Sequence, residues 1–469
     1  MAEEEPAEVT APTADEQRGG EALPFLRAHA AWLFAPELGV CLVGSQALAH
    51  ACRHAGVSGP RPVDIDLAWP LDVATGTALL QQHGVFVPTT VGNQDRGTLA
   101  MKVGGRRLEV TTFRAANTDA PLGERIVADL GERDMTIGAI AVQLAGERMH
   151  DPHQGLLHWQ QRRIVPVGDA AARVREHAIR WLRYYRKAHE LEFTLDGGIR
   201  NLALDPQLLL ELPREAVALE LRAMLGTCRS PGRCLLELHE AGLLATLAPE
   251  LDRQFDGRPA GPQRWHPEVS QALHLVLALE WAVAHTQHLD ERDRLSVRIA
   301  TLCHDLGKGY TKAEAWPQHL GHEEGGVPHV EALLTRWPSL IDQRGQTLAK
   351  HVCELHVRVR HFAELRAGTL AGLYDRFFRG KDYPVELFAL AVAADSAGRL
   401  GLAHTGAELA RNVATDLHWL RTTCGSVDAT ALRAQHPDDL DRFRSALHEA
   451  RAHAIHAGWS QRRTERPPA

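Results

Sequence analysis

Eleven of the 27 histidines in this 469-residue chain fall between His266 and His361. At the centre of that stretch stands Cys303-His304-Asp305-Leu306-Gly307-Lys308, followed by Trp316-Pro317 and Gly321-His322-Glu323-Glu324. A solvated surface would spread its histidines more evenly. Imidazole and carboxylate are metal-ligand chemistries, and here they are adjacent. The surrounding segment, from Pro267 to about Gly425, is apolar at helical spacing, so the donors must be carried by an all-helical body. The HExxH pattern is absent, because His322-Glu323-Glu324 has no histidine four residues on, and so is the GxxxxGK[ST] phosphate loop. His285, His288 and His329 are read as ordinary imidazoles.

The beginning of the chain has a different rhythm. Leu23 to Phe34 is helical in pattern. Val40-Cys41-Leu42-Val43 is an apolar run ending in Gly44-Ser45, which predicts a buried strand turning into a helix from Gln46 to His54. Val63 to Ala68 reads as a strand. Leu99–Val103 and Arg107–Phe113 read as two more, joined at Gly104-Gly105. From Ala170 to about Glu250 the chain is Leu/Ala/Arg-rich at helical spacing. Residues Asp252 to Arg264, rich in Gly, Pro and charge, read as a linker. The expected fold class is α+β: a small mixed-sheet head followed by a long all-α body. Seven cysteines with no CxxC pair argue against a disulfide framework and agree with a reducing, cytoplasmic setting. No apolar run reaches the length of a membrane span, so no membrane partner is expected. The opening MAEEEPAEVTAPTADEQRGG lacks a basic start and an apolar core, and predicts a disordered acidic tail over residues 1–20. With a net charge of −7, any nucleic-acid contact needs a local basic face.

Such a face is present. Between Gln161 and Glu190 there are eight Lys/Arg and three acids, with Arg180, Arg183 and Arg186 three residues apart. The head supplies the complementary chemistry. Asp64 and Asp66 are two apart in a strand pattern, so both carboxylates point to one face. Such a pair is costly without a cation, and a divalent ion handling phosphates is its usual purpose. Glu109, on another predicted strand, is a third candidate carboxylate. Gly44-Ser45, at a strand-to-helix turn, offers backbone N–H groups to a triphosphate.

Asp129-Leu130-Gly131-Glu132-Arg133-Asp134-Met135-Thr136-Ile137 resembles the RRD motif of the tRNA nucleotidyltransferase (CCA-adding) and bacterial poly(A) polymerase family. Glu176-His177-Ala178-Ile179-Arg180-Trp181-Leu182-Arg183 resembles that family's EDPxRxLR motif. The His-Asp region, with Trp265-His266-Pro267-Glu268, Glu354-Leu355-His356 and Ala394-Asp395-Ser396, is similar to the HD phosphohydrolase domain that ends the long bacterial members. The resemblance implies a nucleotidyltransferase-superfamily head over residues 21–168, a helical tRNA-binding neck and body over 169–255, an HD domain over 256–425 and a helical tail over 426–469. It implies that Asp64, Asp66 and Glu109 are catalytic, with the two aspartates holding Mg²⁺. It also implies that Gly44, Ser45, Arg133, Asp134, His177, Arg180 and Arg183 bind CTP and ATP. In the second site it implies His274, His304, Asp305 and Asp395 as ligands of a transition metal such as Ni²⁺ or Mn²⁺, His322 and His356 as second-metal or phosphate contacts, and Lys308 as a phosphate contact. The implied activities are CCA addition to tRNA 3′ ends and phosphate-ester hydrolysis; a homodimer is compatible with both. Four features depart from the family pattern, one of them Gly138 in place of the Asn after Thr-Ile. Gly44-Ser45-Gln46 replaces GGxVRD, Glu132 replaces the first Arg of RRD, and His177 replaces the Asp that reads the base edge. Two alternatives therefore stand: a phosphohydrolase with a head that only binds nucleotide or RNA, and a poly(A) polymerase-like transferase of other specificity.

Overall fold

Apolar runs in the head are too short to be covered by one helix each, and they pair into a sheet instead. The computed structural model describes residues 21–62, 64–87, 97–114 and 119–465. The expected acidic tail over residues 1–20 and the last four residues lie outside these. Six strands form the head sheet: β1 (Cys41–Val43), β2 (Ile65–Trp69), β3 (Thr98–Val103), β4 (Arg106–Thr112), β5 (Ala141–Gln143) and β6 (Met149–His150). Their order is β3-β4-β2-β1-β5-β6. β1 runs antiparallel to β2 and β5, whereas β2 and β4 are parallel, with Asp66 opposite Glu109. The Gly104-Gly105 turn joins β3 to β4 with both residues at positive φ, +52° and +81°, a conformation that suits glycine. Helix α1 (Gly44–His54) follows β1 directly. The strands β5 and β6 are missing from the sequence expectations. At three and two residues, apolar and flanked by helices, they lack enough length to show a period.

The chain divides into two compact units, residues 1–184 with 192–204 and residues 185–191 with 205–469. The division falls inside helix α2 (Ile179–Leu191). The second unit is helical. Its central elements are α3 (Gln271–His285), α4 (Glu291–Cys303), α5 (His322–Arg336), α6 (Gln343–Arg360) and α7 (Val385–Ala397). Eleven of the thirteen residues of α7 are buried, which is why its sequence shows no polar face. Arg298 on α4 is buried and donates from Nη1 to the carbonyls of Leu225 and Gly226 at 2.9 and 2.7 Å. It thereby satisfies the last turn of the helix Arg214–Thr227. No helix among the described residues is long and apolar enough to cross a membrane.

One sequence expectation changes. Residues Asp252 to Arg264 are no linker. They fold within the second unit, where Arg258 is buried and donates to the Lys308 carbonyl, and where Ala260 is fully buried. Their Gly and Pro content serves a tight packed loop instead of a flexible one. The C-terminal segment is helical through residue 465 and packs on the second unit. The helix Leu440–Glu465 lies on Ala367–Leu373 and Gly406–Gly425, with Ile455 buried and Arg451 paired to Asp375.

His351 on α6 packs edge-on to Phe377, at 5.0 Å between ring centroids. Burial, with Lys350 and Arg376 adding, pushes its pKa down from 6.5 to about 4. The unfolded chain therefore takes up this proton first. The second unit should lose stability as pH falls from 6.5 towards 4, and this group should add no further loss below that. Urea midpoints across that window should fall for the wild type and fall less steeply for His351→Gln. Equal slopes for the two proteins would refute the assignment.

Candidate functional site

In the head, register decides which carboxylates meet. Asp64 precedes β2, Asp66 lies within it, and Glu109 sits opposite Asp66 on the parallel strand β4. The Asp66 pKa is raised, first by burial and then by the negative charges of Asp64 and Glu109, while Arg133 opposes the shift. The three carboxylates are thus electrostatically one group, and a cation would relieve their mutual repulsion. Gly44 closes this site from β1. Its φ is +66°, and a Cβ there would stand 2.9 Å from Asp66 Oδ2, so only glycine lets the backbone come this near.

Arg133, whose charge acts on Asp66, also lines a cavity of about 400 Å³ with Arg114, Asp134, His177, Arg180, Arg183 and Ile179. Five of these residues, from two separate sequence motifs, are expected nucleotide contacts, and the head brings them to one wall. Each cation is held in place. Asp129, which is buried, accepts from Arg133 Nη2 at 2.9 Å and from the Arg114 backbone N–H at 3.0 Å. Arg180 donates to Glu176 Oε2 at 2.6 Å and to the Glu132 carbonyl at 2.9 Å. Arg183 donates to Asp134 Oδ2 at 2.9 Å. Burial and the neighbouring charges of Arg133 and Arg180 lower the pKa of Arg114, a sign of concentrated positive charge. Glu132, expected to put a negative charge among phosphate contacts, does not line the cavity; its carboxylate lies 3.5 Å from Arg173. Arg186 departs from the expected basic face. It bonds Glu190 and Glu220 in the second unit and is nearly buried. Steps of three residues fall about 60° short of a full helical turn, so the run rotates away from a single face. Arg114 and Asp129 are the functional residues that sequence reasoning missed. Arg114 follows a strand with no motif of its own, and Asp129 acts by holding two arginines.

The second unit gathers the other donors. His274 comes from α3, His304 and Asp305 follow α4, His322 begins α5, His356 lies on α6 and Asp395 on α7. All six are buried. His304 Nε2 is 3.0 Å from Asp305 Oδ2 and 3.2 Å from His274 Nε2, and His274 Nε2 is 3.4 Å from Asp395 Oδ1. On the other side of Asp305, its Oδ1 lies 3.2 Å from His322 Nε2 and 3.6 Å from His356 Nε2. Two groups therefore share one carboxylate: His274, His304 and Asp305, and Asp305, His322 and His356.

The opposite ring nitrogens decide what these Nε2 atoms offer. Nδ1 of His304 faces the Thr301 carbonyl at 2.6 Å, Nδ1 of His322 the His319 carbonyl at 2.9 Å, and Nδ1 of His356 the Val352 carbonyl at 3.1 Å. Nδ1 of His274 lies 3.1 Å from Glu268 Oε1, a buried carboxylate that also meets His266 at 2.7 Å. Carbonyls accept only, so the proton resides on Nδ1 and the lone pair on Nε2. Lone pairs and carboxylate oxygens then converge. Asp305 Oδ1 and His322 Nε2 are buried with no hydrogen-bond partner among the described residues, although they lie 3.2 Å apart. Two acceptors at that distance fit a shared cation, and the N/O donor set suits a divalent transition metal. Burial raises the pKa of Asp305, yet His304 and Lys308 outweigh it and hold the carboxyl well below its usual range. Burial acts the same way on Asp395, where Arg360, donating at 2.8 Å, prevails. Lys308, expected to contact phosphate, has its ammonium against Asp305 Oδ2 at 2.7 Å, the Ala260 carbonyl at 2.6 Å and Gln271 Oε1 at 3.4 Å. Its three protons are thereby directed at protein oxygens.

Gly307 makes this convergence sterically possible, since a Cβ there would stand 1.8 Å from the His322 carbonyl oxygen. Gly307→Ala should push His322 away from Asp305 and weaken Mn²⁺ binding at least ~10-fold by loss of a ligand. Gly325→Ala, where a Cβ meets nothing within 4 Å, should bind as the wild type does. Calorimetry in an Asp64→Ala/Asp66→Ala background isolates this centre, and unchanged binding by Gly307→Ala would contradict the geometry.

Residues 57–165 match the family model for the poly A polymerase head domain. Along nearly the whole chain the fold is similar to that of solved CCA-adding enzymes. The Bacillus stearothermophilus CCA-adding enzyme in complex with CTP is 20% identical, with 93% of this chain and 92% of that chain covered and a TM-score of 0.62. A CCA-adding enzyme with ATP is 14% identical over 90% and 86% of the two chains, at 0.57. The Thermotoga maritima CCA-adding enzyme complexed with tRNA-CCA is 13% identical over 89% and 87%, at 0.54.

Proposed function

We propose that this chain, whose residues 57–165 match the poly A polymerase head domain and whose fold is similar to that of CCA-adding enzymes, is a tRNA nucleotidyltransferase that adds C and A to 3′ ends from CTP and ATP. The observation that carries this reading is the head cavity lined by four arginines, one of which, Arg133, also acts on the carboxylate cluster of Asp64, Asp66 and Glu109. In the reaction an RNA 3′-hydroxyl oxygen attacks the α-phosphorus, the bond to the β-phosphate breaks and pyrophosphate leaves. Mg²⁺ held by Asp64 and Asp66 would neutralise phosphate charge and activate the hydroxyl. Glu109 keeps Asp66 in register and adds charge for the ion. Arg114, Arg133 and Arg180, fixed by Asp129 and Glu176, orient the triphosphate before reaction, so little reorganisation remains in the transition state. Asp134, held by Arg183, and His177 face the base.

Purified protein with Mg²⁺ should transfer CMP and AMP to a tRNA lacking its terminal nucleotides. Asp66→Ala should lower the rate by roughly 1000-fold, the scale of several kcal/mol of lost charge stabilisation. No incorporation of any nucleotide by the intact protein would end the transferase reading. His177 stands where an acid is expected to read the amino edge of C or A, and a neutral imidazole offers one acceptor only. This favours a second reading, a transferase of other specificity, which incorporation assays with all four nucleotides would distinguish.

For the second unit we propose a metal-dependent phosphohydrolase of the HD type, acting on nucleotide or RNA-end phosphate esters. A transition metal bound there would supply hydroxide at neutral pH. Glu268 and the backbone carbonyls keep the imidazole lone pairs aimed inward, and Arg360 and Lys308 keep both aspartates ionised. Phosphatase activity with Mn²⁺ or Ni²⁺ should disappear in His304→Ala while nucleotide incorporation persists. Joint loss of both activities would point to misfolding, and persistence of hydrolysis would remove the centre from the reaction.

A further inference from the structure

A cavity of about 560 Å³ opens onto Asp395, His322 and His356. Its size suits a nucleotide-sized ligand. Three cations line it: Lys308, Arg360 and Arg399. Lys308 is engaged by Asp305, Ala260 and Gln271, and Arg360 by Asp395. Arg399 differs from both. Among the described residues its guanidinium makes no hydrogen bond or ion pair, and its Nε is buried without a partner. The charges of Asp395 and Glu268 act on it from beyond bonding distance, so its guanidinium keeps donors that an anion in the cavity can take up.

The rim has the opposite character. Trp265 and Leu320, which also line the cavity, are 57% and 83% exposed, among the large apolar side chains that the fold leaves in solvent. Trp265 sits in the turn closed by its own N–H on the Pro262 carbonyl at 2.8 Å, and the Arg264 guanidinium lies 5.3 Å from its ring centre. An exposed indole under a guanidinium is a stacking platform for a planar group. Anion recognition at the floor and a planar apolar platform at the mouth together describe a phosphate attached to a base.

We infer that Arg399 holds the phosphate, and Trp265 with Leu320 holds the base, of a nucleotide or single-stranded RNA end entering the His/Asp centre. This rests on the phosphohydrolase reading for the hydrolytic step, and on the cavity alone for binding. Arg399 is a substrate-binding residue that compensates for the engagement of Lys308. Trp265 gives preference for a base-bearing ester without selecting the base, because every base presents a π-face.

The test uses the intact protein with Mn²⁺ and three esters: glycerol 2-phosphate, a free nucleoside monophosphate and a short RNA with a terminal phosphate. Trp265→Ala should lower the kcat/KM ratio of either nucleotide ester over glycerol 2-phosphate by ~10-fold, mainly through KM, the scale of one lost stack. Arg399→Gln should lower kcat/KM for all three, and Arg399→Lys should recover part of it. The better of the two nucleotide esters identifies whether free nucleotide or RNA end is the source; either supports the inference. Photo-crosslinking of a 5-iodouridine-terminated RNA, read by peptide mass spectrometry, reports binding without turnover. Crosslinks on the Trp265 peptide in a protein that hydrolyses no ester would retire the phosphohydrolase reading and keep the binding site. An unchanged ester ratio in Trp265→Ala, or crosslinks confined to the head, would overturn the inference.

Discussion

A buried carboxylate must be answered by positive charge, and the helical unit is organised around one such group. Asp305 is withdrawn from water, yet it stays ionised because imidazoles and the Lys308 ammonium surround it. Four segments contribute to that answer, α3, the loop after α4, and the starts or interiors of α5 and α6, while α7 brings a second buried carboxylate, Asp395, which Arg360 answers. None of these side chains would be stable in its buried position without the others. The packing of this unit and the assembly of its centre are therefore one process. Gly307 is part of the same constraint, since the segment after α4 can carry Asp305 to His322 only where no Cβ intervenes.

The head uses the same physics with the signs separated. Three carboxylates form one group and four arginines line a cavity, with Arg133 common to both through its effect on Asp66. Arg133 and Arg180 are anchored by acids that do not line the cavity, Asp129 and Glu176, and Arg183 by Asp134, which does. Pre-orientation of this kind is what phosphoryl transfer requires, because the chemistry depends on position and charge more than on covalent participation.

Much of this was legible in the chain. The pair Asp64 and Asp66, the Gly44-Ser45 turn and the hairpin at Gly104-Gly105 are local patterns with local consequences, and each lies in or directly beside a strand of the sheet. Arg133, Asp134, His177, Arg180 and Arg183 were found through motif order, and they share one cavity. What escaped was non-local or too short. β5 and β6 have too few residues for a period. Arg114 and Asp129 acquire roles only through a contact between them across fifteen positions. Residues Asp252 to Arg264 look like a linker because Gly and Pro report backbone freedom and say nothing of burial. Lys308 looks like a phosphate contact by its place after Asp305, but the engagement of its ammonium by Ala260 and Gln271 depends on tertiary neighbours that no spacing encodes.

The pairing of Asp66 with Glu109 has a consequence for how the molecule matures. Glu109 lies between Leu108 and Val110, both fully buried. A slip of β4 by a single residue would invert its faces, burying the glutamate and exposing two core side chains. Such a chain could not complete its sheet. Every head that folds at all has therefore already aligned its acidic triad, so quality control of the protein and proofreading of that carboxylate cluster are the same event.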